Sequence, residues 1–163
     1  MPHIMKRIFL FAVIALAAIS LTSCLESKDQ ATPVIQAGYI TRVSAAGVCD
    51  TISFADTLHI ADTLRVPLAL WGVYNNLTTF QVSADTSAVA YQLLNDSSYL
   101  HLLDNSSAPE KGYLRFVTGC VLFETTLQYI PKKTGDYEVK LVLASDAGEK
   151  YSPLDAYFVM RVH

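Results

Sequence analysis

Seven apolar side chains between residues 54 and 70 (Phe54, Leu58, Ile60, Leu64, Val66, Leu68 and Leu70) stand at even positions. A two-residue period lays one face of an extended chain against a core, whereas a helix would scatter the same residues around its axis. Seventeen residues exceed an ordinary strand. The run therefore predicts a break near Ala61-Asp62, then a strand over 63–73 ending in a Tyr74-Asn75-Asn76 turn. Pro67 inside it predicts an edge position or a bulge, because proline has no N–H to give a ladder. Alternation also predicts strands over 34–43, 48–54, 77–83, 88–94, 99–103, 113–118, 121–130, 136–144 and 156–162. Turn-forming clusters separate them: 85–87, 95–98, 104–112 and 131–135. The expected fold is all-β, an antiparallel sandwich of about seven to ten strands with no helix.

The N-terminus follows another pattern. Lys6 and Arg7 precede an apolar run from Ile8 to Ile19, and small residues then surround Cys24. Basic, apolar and small-residue elements in that order make a secretory signal, opening equally well at Met1 or Met5. The run is shorter than the roughly 20 residues of a membrane-spanning helix. Leu21-Thr22-Ser23-Cys24 resembles the lipobox of bacterial lipoproteins. That resemblance implies cleavage before Cys24, which would carry diacylglycerol and an N-acyl group, and several acyl chains anchor stably. Residue 25 is Leu rather than Asp. In lipoproteins of the enterobacterial type an Asp there resembles an inner-membrane retention signal, so the resemblance implies the outer membrane, facing periplasm or cell surface. The polar stretch to Pro33 is expected to be a flexible tether. Its charged start is similar to the export signals of Bacteroidetes surface lipoproteins, with a solvated linker as the alternative. The expected organisation is a cleaved signal peptide over 1–23, lipidated Cys24 and tether over 24–33, and one sandwich domain over 34–163.

Without the leader, ten basic side chains face fifteen acidic ones. Nucleic acid is not an expected partner of such a surface.

The stretch Thr134-Gly135-Asp136-Tyr137-Glu138-Val139, continuing through Leu143 to Asp146-Ala147-Gly148, resembles the penultimate strand of immunoglobulin-like modules, notably the polycystic-kidney-disease (PKD) type. The resemblance implies an immunoglobulin-like sandwich in which Gly135 turns the chain and the Tyr137 hydroxyl bonds backbone at the corner. Tyr137, Val139, Leu141 and Leu143 would share one face, with Phe158, Met160 and Val162 on the last strand.

Two cysteines remain in the domain, Cys49 and Cys120. In an oxidising compartment they are expected to form a disulfide, the alternative being two buried thiols. Three Asp-Thr-aliphatic triplets fall at Asp50-Thr51-Ile52, Asp56-Thr57-Leu58 and Asp62-Thr63-Leu64. They resemble the O-glycosylation acceptor of Bacteroidetes, which implies Thr51, Thr57 and Thr63 as attachment sites. Strand alternation with Asp in turns explains them equally.

Catalytic material is thin. His59 is expected on an outward face and His101 partly buried in a strand, and no motif selects a nucleophile for either. An enzyme is not expected, nor is a cofactor. Asp85, Asp96, Asp104 and Asp146 are expected as solvated turn acids rather than a calcium or other metal site. Trp71, Tyr74 and Tyr113 stand beside or near strand ends and are the candidate glycan contacts, although large aromatics ordinarily supply core. The expected function is a membrane-anchored cell-envelope lipoprotein with a non-catalytic binding or structural module. The alternatives are a glycan-binding accessory protein of a surface uptake system, or an adhesin or assembly subunit taking a partner's strand.

Overall fold

The computed structural model describes residues 29–163. The expected signal peptide, the lipidation site Cys24 and tether residues 25–28 lie outside the described residues. Eleven strands follow: β1 (Val34–Ala37), β2 (Ile40–Val43), β3 (Cys49–Ile52), β4 (Thr57–Leu58), β5 (Thr63–Trp71), β6 (Leu77–Ser83), β7 (Val89–Leu94), β8 (Tyr113–Arg115), β9 (Leu122–Pro131), β10 (Gly135–Ser145) and β11 (Leu154–Val162). They form two sheets, one ordered β3-β2-β5-β9-β7 with β1 also on β5, the other β4-β11-β10-β6-β8. All pairings are antiparallel except β4 with β11. The chain is a β-sandwich, as the alternation predicts.

The even positions of β5 turn inward: Leu64, Val66, Leu68 and Leu70 are buried, while Arg65, Pro67 and Trp71 face solvent. Phe123, Leu127 and Tyr129 of β9 lie beside them in the sheet. The second sheet closes the core with Phe80 and Val82 of β6 and Val139, Leu141 and Leu143 of β10. Each such side chain contributes roughly 1.5–3 kcal/mol by leaving water.

The expected strand over 34–43 is interrupted once. Ala37 pairs with Leu68 but Thr41 with Arg65, a one-residue slip that marks a bulge at Gly38-Tyr39. Pro67 lies opposite it, and its carbonyl accepts from Gly38 N at 2.8 Å. A residue's N–H and C=O point to the same side of a strand, so the donor that Pro67 lacks falls at the bulge. A central strand thereby tolerates a proline.

At the start of β10, Gly135 adopts φ 136° and the Tyr137 hydroxyl donates to the Thr134 carbonyl at 2.7 Å. A Cβ on Gly135 would stand 3.1 Å from that hydroxyl. Gly135 is therefore needed for both its backbone angle and its missing side chain.

Three expectations are corrected. Residues 99–103 are not a strand: Ser97–Leu102 forms a 3-10 turn, started by Asp96, whose Oδ1 accepts from Ser98 N at 2.8 Å. His101 is consequently exposed. A second 3-10 turn spans Pro109–Lys111, and no α-helix occurs among the described residues. The strands number eleven because the bulge splits one and two-residue β4 adds another. Finally, Cys49 and Cys120 are free thiols, the first exposed and the second buried. Cys49 lies level with Val43 and Thr63, whereas Cys120 sits beside Leu77, beyond the Trp71 end of β5. The eight-residue rise from Thr63 to Trp71 is about 26 Å, and a disulfide needs Cα atoms within about 7 Å.

Candidate functional site

The outer face of the first sheet carries an apolar row followed by a groove of mixed polar and apolar lining. Register sets Val34, Trp71 and Leu122 side by side across β1, β5 and β9. All three are exposed, Trp71 by 48%. Two residues along each strand, about 7 Å away, Gln36, Ala69 and Glu124 form the next row. They line a groove of about 470 Å³ with Pro67, Leu94, Asp96 and Tyr99.

Two carboxylates face this groove. Tyr99 Oη donates to Glu124 Oε2 at 3.3 Å, and the nearby Glu124 charge, more than that bond, holds the phenol above its ordinary pKa. The Ser98 backbone and side-chain donors hold Asp96 below the usual carboxylate range. Tyr99 reaches the groove because its ring packs 5.7 Å from the ring of buried Phe123. The 3-10 turn thus forms the groove's far wall.

A tight turn holds the apolar row at its end. Asn75 N donates to Gly72 O at 2.9 Å, and Val73 between them adopts φ 61°. That angle is an outlier for a β-branched residue, and such strain clusters at ligand-contacting segments. Tyr74 projects from this turn, largely exposed. Trp71 and Tyr74 therefore come to one end of one sheet. Tyr113 does not join them: it lies half-buried in β8 of the other sheet, opposite Gln81.

The Asp-Thr-aliphatic triplets gather around Arg42. Its guanidinium makes a two-pronged ion pair with Asp50, with Nε 3.0 Å from Oδ1, and donates to the Thr57 carbonyl at 3.2 Å. Arg42 thus ties β2 of one sheet to β4 of the other. Asp56 accepts from Ser53 N at 2.6 Å and Asp62 from His59 N at 2.9 Å, each closing a turn. Thr51 is exposed, while Thr57 and Thr63 are half-buried.

The loop acids are used in the same manner. Asp85, Asp96 and Asp104 accept from the backbone N–H of Ser87, Ser98 and Ser106 at 2.8–2.9 Å, and Asp146 accepts from Asn76 N at 2.8 Å. Among the described residues, no group of three His, Cys, Asp or Glu could hold a metal ion. His59 Nδ1 lies 3.2 Å from the carbonyl of His163.

Sequence reasoning named Trp71 and Tyr74 but missed Val34, Leu122, Glu124 and Tyr99. For Leu122 and Glu124 a signal existed: both take the outward parity of their strand, where Leu122 is an apolar residue with no core to join.

No family model matches the chain, and no curated protein sequence matches it. Solved structures resemble it in shape. One is a DUF4466 family protein from Parabacteroides merdae ATCC 43184, at 7% identity and TM-score 0.48, over 80% of this chain and 45% of that one. Another is designated BspA_C_WT, at 13% identity and TM-score 0.46, over 80% of this chain and 50% of the other. A family 123 glycoside hydrolase from Clostridium perfringens gives 15% identity and TM-score 0.34, over 66% and 22%. The chain spans about half the length of the first two.

Proposed function

We propose that the chain is a non-catalytic binding module, held at the cell envelope by lipid on Cys24, whose first sheet binds a neutral glycan on its outer face. The observation that carries this reading is the exposed Trp71 row leading into the groove of Glu124, Asp96 and Tyr99. An exposed indole offers a flat apolar face to a pyranose ring. Carboxylates beside it accept hydrogen bonds from sugar hydroxyls and repel anionic ligands. The sandwich is of the immunoglobulin-like type on this reading, supported by the Tyr137 hydroxyl bonding backbone at the start of β10.

Glycan-array screening followed by calorimetry tests the reading. Trp71→Ala and Glu124→Gln should each weaken binding at least about tenfold, or about 1.4 kcal/mol, while Tyr113→Ala leaves it unchanged. An array without a hit, or binding indifferent to Trp71, removes the proposal. Intact mass spectrometry of the membrane-extracted protein tests the anchor: the mass should begin at Cys24 with acyl chains. Hexose additions, if the triplets are acceptors, should fall on exposed Thr51 before half-buried Thr57 and Thr63.

A further inference from the structure

The second sheet has an open edge that its own chain does not use. β11 pairs with β10 along Leu154–Val162, but on its other side β4 meets only Arg161 and Val162. Among the described residues, nothing pairs with 154–160 on that side. His163 N donates to Leu58 O of β4 at 2.9 Å, so the odd-numbered residues of β11 direct their N–H and C=O toward this edge. The free donors and acceptors therefore belong to Asp155, Tyr157 and Val159.

The side chains here match that openness. Tyr157 is 55% and Val159 45% exposed on the outer face. Core-facing Leu154, Ala156 and Phe158 are only half-buried, whereas Val139, Leu141 and Leu143 on neighbouring β10 are fully covered. Phe54, itself exposed, packs its ring 4.8 Å from Phe158. The free stretch contains no proline, lysine or bulge, the features that ordinarily blunt an edge. Its one charge, Asp155, is matched within the chain by Lys140 at 2.7 Å.

We infer that this edge pairs with the same edge of a second copy of the chain, antiparallel about a two-fold axis at Tyr157. Three free residues symmetric about position 157 leave one register that uses every free group: Asp155 opposite Val159, Tyr157 opposite Tyr157, and Val159 opposite Asp155. The register fits in the other respects as well. On the core side it sets small Ala156 opposite large Phe158, and it keeps the two Asp155 carboxylates about 14 Å apart along the strands. β4 blocks pairing beyond Met160, so the contact is limited to seven residues a side. That is less surface than a permanent dimer buries, and the association is weak, in the micromolar range or above. It joins two second sheets edge to edge and leaves both Trp71 faces free, so it is independent of glycan binding.

Cysteine scanning tests the register in the full chain, in detergent, with Cys24→Ser and Cys49→Ser as background. A hydrogen-bonded antiparallel pair sets Cα atoms about 5.5 Å apart, within disulfide reach. Tyr157→Cys should oxidise to a covalent dimer, Val159→Cys alone should not, and Val159→Cys mixed with Asp155→Cys should. Failure of Tyr157→Cys to cross-link at concentrations up to about 1 mM, or equal cross-linking by Val159→Cys alone, overturns the inference. Sedimentation equilibrium supplies a second readout. Tyr157→Pro removes an edge donor that β10 does not use, and Val159→Lys changes only an outward side chain. Each should raise the dimer dissociation constant at least about tenfold. A monomeric parent chain, or association undiminished by both substitutions, also overturns it.

Discussion

At Thr63 β5 begins beside Arg42, whose guanidinium is engaged by Asp50 and by the Thr57 carbonyl, while Asp56 and Asp62 close the neighbouring turns. At Trp71 the same strand ends in a row of exposed apolar side chains beside a groove with two carboxylates. The first end contains the more conspicuous sequence pattern, a triplet repeated three times, yet its acids are consumed in holding the two sheets and their turns together. The second end has no repeat, and its apolar row of Val34, Trp71 and Leu122 stays exposed to solvent. Repetition here coincides with a structural need, while the exposed apolar surface at the other end is where the proposed binding face lies.

The comparison breaks most directly at the turn that seats Trp71. A Cβ on Gly72 would stand 2.0 Å from the Asn75 carbonyl oxygen. Gly72→Ala must therefore open the Gly72–Asn75 turn, and we expect a loss of about 3 kcal/mol in denaturant unfolding. A loss below about 1 kcal/mol would mean that the turn is soft and the apolar row is not rigidly presented.

How much of this was visible in the residues can be followed along β5. The parity of Leu64, Val66, Leu68 and Leu70 determined strand, face and core, because a period of two has one physical meaning. Pro67 signalled a bulge but not which strand contains it, since the bulge lies in the partner, at Gly38-Tyr39. The shift from odd Ile35 to even Ile40 was the available clue. Residues 99–103 alternate like a strand, and the Asp96 cap that makes them a 3-10 turn competes with that pattern locally. Trp71 and Tyr74 could be named as exposed aromatics, but the groove could not: Glu124, Asp96 and Tyr99 come from separate elements, and only the register brings them together. Cys49 and Cys120 fail for the same reason, as sequence separation does not say at which end of a strand each falls.

At the Thr63 end the comparison sharpens with Tyr129, which lies opposite Leu64 on the core face. Its hydroxyl is buried without a hydrogen-bond partner, and burial pushes the phenol far above its ordinary pKa, with proximity to Tyr137 adding to the effect. Removing an unsatisfied buried hydroxyl relieves a desolvation cost. Tyr129→Phe should raise stability by about 1 kcal/mol, and a loss in thermal unfolding would instead reveal a bound water at that hydroxyl.

Acid separates the two ends more gently. Bonds from the Ser53 backbone and then its side chain hold Asp56 below the usual carboxylate range. A carboxylate depressed in the folded state contributes stability above its unfolded pKa, near 3.9, and that contribution is lost as pH falls through the folded value. Asp56→Asn should be less stable than the parent chain at pH 7 and converge with it as pH falls through the lowered folded value. Parallel curves that never converge would show that the Ser53 turn is not tied by the ionised form.

The smallest stability effect is expected at the residue with the largest expected effect on binding. Trp71 lies opposite Val34 and Leu122, and cross-strand neighbours of this kind contribute roughly 0.2–1 kcal/mol each. Nearly half of the Trp71 surface is already in water, so Trp71→Ala forfeits little burial. Thermal unfolding should therefore show a loss of about 1 kcal/mol or less. A loss near that of a buried core residue, about 3–5 kcal/mol, would place Trp71 among the groups that hold the sandwich together. The two ends of β5 would then differ only in chemistry and not in role.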